Sequence, residues 1–306
     1  MSIYTILTTP NYLITQSSDQ IRFQGLPNSA TEINHVLVIS DKELPSIMSI
    51  AFLEKSKQIF IACGNQVFCS LVDISKSAVR EHLDLKNCEL LFTAPEDIND
   101  LKLDKSSNRM AISCDNGHVW VVDVISKTFV KSRQFHDSIV SCSVFRTTLP
   151  WHLISGGFDC KLILWDFSRG ISKYEHYFTS EAAFNPPHVH SLTVSIDGNI
   201  AAAGLGNGEI SILKLPRNFK NMQQSISTGS LRGHTWSVSA IVFIENDLLL
   251  SGSLDKTIRF WNLKDPTKNR VMEVGFKVND LAFVNNTIIV GGMSKELTFI
   301  DQSHLF

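Results

Sequence analysis

Two stretches of the chain carry nearly the same phrase. The first reads HDSIVSCSVF (residues 136–145) and continues as LISGGFDCKLILWD (residues 153–166). The second reads GHTWSVSAIVF (residues 233–243) and continues as LLSGSLDKTIRFWN (residues 249–262). A repeated unit buries its apolar face against its neighbours in the fold. The repetition therefore indicates a repeat architecture in which each copy forms one structural unit.

Each copy has a His near its start, a Ser and an Asp around a turn, and a Trp near its end. These residues are His136, Ser155, Asp159 and Trp165 in the first copy, and His234, Ser251, Asp255 and Trp261 in the second. The pattern resembles the WD40 repeat. That resemblance implies an all-β fold, a seven-bladed WD40 β-propeller, used mostly as a binding platform. It also implies that the four side chains form a hydrogen-bonded line in which the indole N–H is satisfied.

The end of the third strand of each repeat recurs along the chain. Its positions are residues 23–24, 72–73, 122–123, 165–166, 213–214, 261–262 and 300–301. Steps of roughly 40 to 50 residues match one four-stranded blade. Apolar, β-branched runs separated by turns with Gly or Asn precede these positions, as expected of hairpins. We predict seven blades in a single domain covering residues 1–306, nearly all strand.

The two ends of the sequence bear on the last blade. The predicted first strand, residues 3–7, begins blade one directly, and the last third strand ends near residue 301. WD propellers usually lend an N-terminal strand to the last blade. We therefore expect a last blade of three strands that lacks its outer strand and leaves an open edge.

Composition places the chain among ordinary globular proteins, with 306 residues, 43% hydrophobic and 19% charged. The formal net charge of −2, without a long Lys/Arg run, gives no reason to expect direct binding of nucleic acid or an anionic membrane. Apolar runs are strand-sized, and no signal peptide is recognised. Six cysteines without a Cys-x-x-Cys pair indicate buried free thiols, so we expect the cytoplasm or the nucleus.

Three features could suggest chemistry. His, Ser and Asp also form hydrolase triads, but here the set repeats by blade and no Gly-x-Ser-x-Gly elbow occurs. The Gly-rich residues 204–208 open a strand, whereas a phosphate loop opens a helix. His188 and His190 could share a strand face and reach one metal, but no third ligand is near. We predict a non-enzymatic chain with no catalytic residues, cofactor or metal; the alternative is a propeller hydrolase.

Loops at one end of the predicted blades are candidates for contacting other proteins or peptides. These loops precede the first strand of each blade or join its second and third strands. Exposed aromatic residues there would be hot spots, because large rigid side chains dominate interface energetics. The candidates are Phe135, Phe158, Asn185, Pro186, Pro187, His188, His190, Trp236 and Leu254. The alternative for Trp236 and Phe184 is that they only cover blade junctions.

Short stretches are also similar to the WD repeat-containing protein 53 subfamily. They are residues 96–101, the Asn185-Pro186 pair ahead of His190, residues 197–200 and residues 248–253. This resemblance implies an adaptor that serves as a substrate receptor of a cullin-4 ubiquitin ligase. Such a receptor docks on the ligase's propeller-rich linker protein. The alternative is a general scaffold in another nuclear or cytoplasmic complex, such as an RNA-associated assembly.

The docking motif implied by that resemblance is Trp-Asp-x-Arg at the end of a third strand. The candidate docking residues are Asp73, Asp166 and Arg169. Ser75 stands where the motif after Asp73 has arginine, and Arg169 comes one residue late after Asp166. Both sites therefore depart from the motif. The departure matters because the planar guanidinium fork of arginine is hard to replace in a bidentate contact.

Overall fold

The computed structural model describes residues 2–26, 34–39, 45–74, 80–179, 185–215 and 227–304. Seven β-sheets are found there, in agreement with the seven blades that the repeat predicts. We number these sheets as blades one to seven in the chain order of their first strands. The chain divides into two compact units, residues Met1–Ile98 with Asn279–Phe306, and residues Asn99–Val278. The single domain expected from the sequence stays a prediction.

Blades one, two and seven belong to the first unit. Blade one has the order β1-β2-β3-β4-β8, with β1 (Thr5–Thr8), β2 (Tyr12–Gln16), β3 (Gln20–Gly25), β4 (Asn34–Ile39) and β8 (Arg80–Leu83). Blade two has the order β5-β6-β7-β9, with β5 (Ile47–Leu53), β6 (Gln58–Cys63), β7 (Gln66–Leu71) and β9 (Glu89–Thr93). Blade seven has the order β26-β27-β28, with β26 (Val278–Val284), β27 (Thr287–Gly292) and β28 (Thr298–Asp301).

Strand β8 was not expected from the sequence. It lies in the connection between β7 and β9 of blade two, yet it pairs in parallel with β4 of blade one, with Val36 opposite Arg80. His35 of β4 is buried, and its Nε2 lies 3.5 Å from Glu81 Oε2 of β8. The short, polar β8 lacks the apolar alternation that identifies a strand. Its pairing with a neighbouring blade therefore leaves no local signal.

Blade seven has three strands in the described part of the chain, as predicted. Hydrogen bonds join it to the N-terminal segment. The Ile3 N–H donates to Gly292 O at 2.9 Å, and Asn279 Nδ2 donates to Ile3 O at 2.9 Å. The Ile6 N–H donates to Asp280 Oδ2 at 2.7 Å. In other propellers a shared strand joins the N-terminal segment to the last blade. Here a backbone bond and two side chains at the start of β26 make this connection.

Blades three to six belong to the second unit, and each has four antiparallel strands. Blade three has β10 (Ile98–Leu103), β11 (Arg109–Cys114), β12 (His118–Asp123) and β13 (Thr128–Gln134). Blade four has β14 (Val140–Phe145), β15 (His152–Gly157), β16 (Lys161–Asp166) and β17 (Ile171–Tyr177). Blade five has β18 (Val189–Val194), β19 (Ile200–Leu205), β20 (Ile210–Lys214) and β21 (Ser227–Leu231). Blade six has β22 (Val238–Glu245), β23 (Leu248–Ser253), β24 (Thr257–Asn262) and β25 (Arg270–Glu273).

The cores of the second unit lie between neighbouring blades. Val121 of blade three packs with Ile163 and Trp165 of blade four in one buried cluster. Gly156 permits the close approach of blade five, because an added Cβ would lie 2.3 Å from Val189 Cγ1. Helical structure in the described residues is confined to short 3-10 turns at Leu85–Asn87, Pro266–Lys268 and Gln302–His304. No described helix has the length and apolar character of a membrane span.

A side chain near the start of each of several first strands donates a hydrogen bond to the first strand or entry segment of the next blade. These bonds join Asn99 to Val140 O, Ser141 to Val189 O and Ser239 to Val278 O in the second unit, and Asn279 to Ile3 O in the first. We call this contact the blade clamp. Because it satisfies a backbone carbonyl at each of these contacts, it ties together the two segments that it joins.

Candidate functional site

The four repeated residues of blade six form a connected line of hydrogen bonds. His234 Nδ1 contacts Asp255 Oδ2 at 2.9 Å, and His234 Nε2 contacts Ser251 Oγ at 2.8 Å. The indole N–H of Trp261 donates to Ser251 Oγ at 2.8 Å. A neutral imidazole with its proton on Nδ1 satisfies both histidine contacts. The line predicted from the repeat is confirmed in this blade, and it supplies the partners that buried polar groups need.

Blade four makes the same line without its last bond. His136 Nδ1 contacts Asp159 Oδ1 at 2.9 Å, and His136 Nε2 contacts Ser155 Oγ at 2.8 Å. The indole nitrogen of the fully buried Trp165 has no hydrogen-bond partner among the described residues. Its ring is held instead by an edge contact with Phe135, with centroids 5.3 Å apart. The prediction of a satisfied indole N–H is therefore wrong for Trp165, because aromatic packing has replaced the hydrogen bond.

The charges in both lines favour a structural role. Burial alone would raise the pKa of Asp159, but the hydrogen bond and charge of His136 contribute to lowering it. In blade six burial is likewise opposed by hydrogen bonds from Thr257 and His234, which lower the pKa of Asp255. Burial also lowers the pKa of His234, so its neutral form is favoured. In blade six a neutral imidazole thus donates to an ionised carboxylate.

The two serines of these lines are closed to substrates. Ser155 and Ser251 are both 0% exposed, and each hydroxyl is engaged by the histidine of its own blade. A serine nucleophile must meet the carbonyl that it attacks. These hydroxyls therefore serve as internal supports of the sheet.

Phe158 brings together two histidines of the next blade. It lies in the turn between β15 and β16, and its ring stacks on His188 with centroids 5.0 Å apart and planes 25° apart. His190 contacts the same ring with centroids 5.2 Å apart. Burial, followed by the charge of His188, lowers the pKa of His190. The result is a half-buried aromatic cluster at one end of blades four and five.

His190 is available for this cluster because it does not make the blade clamp. It occupies the position that holds the clamping serine in blades four and six. In blade five the next residue, Ser191, donates to Val238 O at 2.9 Å instead. Gly204 makes room for this bond, because an added Cβ would lie 2.4 Å from Ser191 Oγ. The imidazole of His190 faces Phe158 as a consequence.

Backbone and side-chain bonds connect this cluster to the entry loop of blade six. The Gly206 N–H donates to His188 O at 2.8 Å, and Ser237 Oγ donates to Gly206 O at 3.1 Å. The Leu254 N–H then donates to Ser237 O at 3.1 Å. The turns of blades five and six are thus held in a fixed arrangement beside the aromatic cluster.

Trp236 completes this end of the second unit. Its side chain is 50% exposed, and Lys277 Nζ lies 5.3 Å from the ring centroid, where the ring quadrupole attracts a cation. Ser253 Oγ donates to Trp236 O at 3.0 Å and fixes its backbone. We define the entry face as the surface formed by Phe158, His188, His190, Trp236 and Leu254.

The remaining predicted partner-binding residues are placed differently. Asn185 and Pro186 are exposed in the segment before β18, whereas Pro187 is buried. Phe135 is half-buried and packs on Trp165, so much of its ring belongs to the core of blade four. Phe184 lies outside the described residues.

The candidate docking residues lie elsewhere. Asp166 is the last residue of β16 and Arg169 follows the strand, at the opposite end from Phe158. Asp166 is largely buried and accepts from the Ser168 N–H at 3.0 Å, while Arg169 is 71% exposed with its Nε 3.8 Å from Asp166 Oδ2. Asp73 is exposed just after β7 in the first unit, and Ser75 lies outside the described residues.

The described residues contain no group of three or more His, Cys, Asp and Glu side chains placed to hold a metal ion. His188 Nδ1 instead lies 3.6 Å from Cys160 Sγ. All six cysteines are free thiols; four are buried, as predicted, and Cys88 and Cys160 are half-buried. Burial raises the pKa of the Cys142 thiol to about 12, so this sulfur is inert at neutral pH.

Two contributors to the entry face were missed in the sequence. Lys277 comes from the connection to blade seven, far along the chain from Trp236, so no local pattern links them. Gly206 was noted only as part of the Gly-rich residues 204–208, although an added Cβ there would lie 2.6 Å from Pro186 O. A comparison of first strands could have shown that His190 replaces a clamping serine, since the repeats align at that position.

Comparisons with known proteins agree with this geometry. The family model described as WD domain, G-beta repeat matches residues 127–166 and 225–262. E3 ubiquitin-protein ligase COP1 of Arabidopsis thaliana is 26% identical over 304 residues, which cover 93% of this chain and 43% of that protein. The WD repeat-containing protein 53 homolog of Dictyostelium discoideum is 25% identical over 253 residues, covering 67% of each chain. The chain thus spans less than half the length of the COP1 relative.

Among solved structures, the WD40 beta propeller domain of Doa1 matches with a TM-score of 0.75 at 13% identity. The match covers 98% of this chain and 93% of that one. At this identity the likeness concerns the fold, and it agrees with the seven sheets and the two complete repeat phrases. Two segments of the chain thus match the model of the WD domain, G-beta repeat, and the chain has the fold of a seven-bladed β-propeller.

Proposed function

We propose that this chain is a non-enzymatic scaffold that binds a segment of a partner protein on the entry face. The observation that carries the proposal is the half-exposed Trp236, fixed through its backbone and beside Lys277. A rigid aromatic side chain with both apolar area and a polar edge loses little entropy on binding. WD40 propellers typically bind other proteins, which supports this assignment.

The aromatic cluster gives the proposed site a second anchor. Phe158, His188 and His190 are already packed together in the unbound chain, so a partner need not order them. Preorganised contacts lower the entropy lost on association. A partner segment that reaches both anchors would cross blade five and follow the hydrogen-bonded turns around Gly206.

A pull-down of the tagged chain, with bound proteins identified by mass spectrometry, tests this proposal. Trp236→Ala and Phe158→Ala should each reduce the recovery of the same partner at least about tenfold, as expected for interface hot spots. Phe129→Ala is the matched control, because this aromatic side chain is 57% exposed and lies off the entry face. Equal recovery with all three variants, or no partner with the wild-type chain, would contradict the proposal.

The finer role that we propose is that of a substrate receptor of a cullin-4 ubiquitin ligase, docked on the ligase's linker protein. The similarity to an E3 ubiquitin-protein ligase and to a WD repeat-containing protein 53 homolog supports it. Arg169 offers an exposed guanidinium at the end of a Trp-Asp strand, and Asp166 orients the loop that carries it. Arg169 comes one residue later than the arginine of the motif. The loop would therefore have to place its guanidinium where the side chain of the preceding residue, Ser168, would otherwise lie.

Co-purification of the linker protein tests this role separately. Arg169→Ala and Asp166→Ala should each lower the recovery of the linker protein. Lys264→Ala is the matched control, because this exposed cation also follows a third strand and pairs with a carboxylate, that of Asp247. Unchanged recovery with Arg169→Ala would exclude docking through this loop while leaving the entry face untouched.

A further inference from the structure

Two cations of blade three lie against the loop that follows β16 in blade four. Lys131 and Arg133 both reach Gly170: a Cβ added there would lie 2.6 Å from Lys131 Cε and 3.2 Å from Arg133 Nε. Arg133 Nε donates to Gly170 O at 2.9 Å. The Nη groups of Arg133 have no hydrogen-bond partner among the described residues, so the guanidinium is fixed by one bond and still open to a ligand.

Lys173 adds a third cation near the same loop. It lies on β17, three residues beyond Gly170. Burial raises the pKa of Asp166, whereas the hydrogen bond from Ser168 and the charge of Lys173 lower it. Lys173 is thus close enough to act on a carboxylate of this loop. We call Lys131, Arg133 and Lys173 the basic corner.

The basic corner has little compensating negative charge. Asp166 already pairs with Arg169 at 3.8 Å. Across the described residues, Lys131 and Lys173 take part in no ion pair with Asp or Glu. Glu175, two residues from Lys173 on β17, is the nearest carboxylate along that strand. Since the formal net charge of the whole chain is −2, this positive charge is a local property of the corner.

Strand β13 also offers a backbone edge. It is the last strand in the order β10-β11-β12-β13, so one row of its N–H and C=O groups lies at the outside of the described sheet. An extended segment can add to such an edge through main-chain hydrogen bonds. Side chains alternate between the two faces of a sheet along a strand. Lys131 and Arg133 are two residues apart and so share one face, and every second side chain of the added segment would lie on that face beside them. This arrangement selects a peptide backbone over a nucleic acid.

We propose that the basic corner binds an extended acidic segment of a partner protein, with carboxylates on alternate residues facing Lys131 and Arg133. This surface is independent of the entry face, because it lies at the opposite end of β16 from Phe158. One partner can therefore occupy the corner while another occupies the entry face. Charged side chains on an edge strand also discourage strand addition by neutral or basic segments, which makes the corner selective for acidic ones.

Fluorescence anisotropy with two labelled peptides tests this proposal. One peptide has alternating Val and Asp residues at its centre, and the other has Asn in place of each Asp. The wild-type chain should bind the Asp peptide at least about tenfold more tightly than the Asn peptide, and the difference should shrink as salt is raised. The double variant Lys131→Gln/Arg133→Gln should lose about tenfold in affinity for the Asp peptide.

Two controls keep the result specific. Lys268→Gln removes an exposed cation of blade six and should leave the affinity unchanged. Trp236→Ala should also leave it unchanged, which separates this surface from the entry face. If the double variant has a lower melting temperature than the wild type, Lys131→Glu alone is tested instead. This substitution is suitable because Lys131 makes no side-chain hydrogen bond in the described structure.

Three outcomes would overturn the proposal. The first is equal affinity for the Asp and Asn peptides. The second is wild-type affinity in a folded double variant or in Lys131→Glu. The third is equal competition by single-stranded DNA of the same charge at the same salt, because the corner would then attract any polyanion.

Discussion

Blades four and six contain the same four repeated residues, yet they hold their tryptophans in different ways. In blade six Ser251 Oγ receives the indole N–H of Trp261, whereas in blade four the indole nitrogen of Trp165 has no such partner among the described residues. The residue before the repeated histidine differs as well, being Phe135 in blade four and Gly233 in blade six. Phe135 packs edge-on against Trp165, whereas the space beside Gly233 is filled by Arg259 and Trp261, since an added Cβ there would lie 2.7 Å from Arg259 Nη1 and 3.0 Å from Trp261 Cη2.

This comparison separates what the repeat specifies from what its neighbours decide. The histidine, serine and aspartate take the same contacts in both blades, with matching distances. The tryptophan takes whichever contact its surroundings favour. A repeated motif therefore predicts the polar line reliably and the aromatic end of that line less well.

The largest expected effect comes from breaking what the two blades share. His136→Ala and His234→Ala each leave a largely buried carboxylate without its imidazole partner. Leaving a buried charged group without the hydrogen bond of its partner costs about 3 kcal/mol of unfolding free energy. Urea unfolding should show a loss of this size in both variants. Thr235→Ala, an exposed neighbour, should stay within about 0.5 kcal/mol of the wild type; a similar small loss in the histidine variants would contradict the structural role.

One pH effect should arise in blade four from a histidine that has no counterpart at the same position of blade six. Its β15 begins with His152, where β23 of blade six begins with Leu248. Burial lowers the pKa of His152 to about 4 from 6.5. The unfolded chain therefore binds the proton more readily between these values, so stability is full above about pH 6.5 and falls as the pH drops toward 4. Allowing for solvent screening, the loss is about 2 kcal/mol.

The variant His152→Leu, which copies blade six, tests this effect. Urea unfolding at pH 7.5 and pH 5.0 should show a smaller pH dependence in the variant than in the wild type. Some dependence should remain, because burial also lowers the pKa of His176, His190 and His234. An unchanged difference between the two pH values would show that His152 does not titrate in this window.

The stability lost on removing the repeated serine should differ between the two blades. Ser251→Ala removes the partner of both His234 and Trp261, and should cost about 2 kcal/mol. Ser155→Ala removes the partner of His136 alone, and should cost about 1 kcal/mol. Thermal and urea unfolding of both variants measure the difference. Equal losses would mean that the indole bond of blade six adds nothing to stability.

The smallest expected effect concerns a bond that only blade six makes. Thr257 Oγ1 donates to Asp255 Oδ1 at 2.7 Å, whereas Lys161 occupies this place in blade four. Thr257→Val should cost about 1 kcal/mol, because it removes one hydrogen bond to a charged acceptor. It should also raise the pKa of Asp255, which an NMR titration of its carboxyl carbon would detect. A pKa that stays in place would show that the hydroxyl does not bond this carboxylate.

The sequence predicted most of the fold because the blade boundaries follow from the repeat. The positions of Trp165 and Trp261 identify the ends of third strands, and both lie in the predicted strands β16 and β24. Strand β8 could not be predicted in this way, because its pairing with β4 is a contact between repeats. The missing bond of Trp165 likewise depends on Phe135, which lies outside the repeated set.

The sequence predicted individual residues of the candidate site but not how they are grouped in space. Phe158, His188, His190 and Trp236 were nominated one by one as partner-binding residues. Their grouping depends on which residue makes the clamp in blade five, and on glycines that admit neighbouring side chains. Such conditions arise between blades, so a pattern that is read within one blade does not contain them.

Strand β8 limits how far the blades can be treated as interchangeable modules. Engineering of repeat proteins assumes that one repeat can be removed, duplicated or transplanted along its own sequence boundaries. A version of blade one cut in that way would lack the segment from residue 80 to residue 83, and the parallel pairing along β4 would be lost. The uncovered edge would invite pairing with other chains. The first two blades therefore form one exchangeable unit, whose boundary falls after β9.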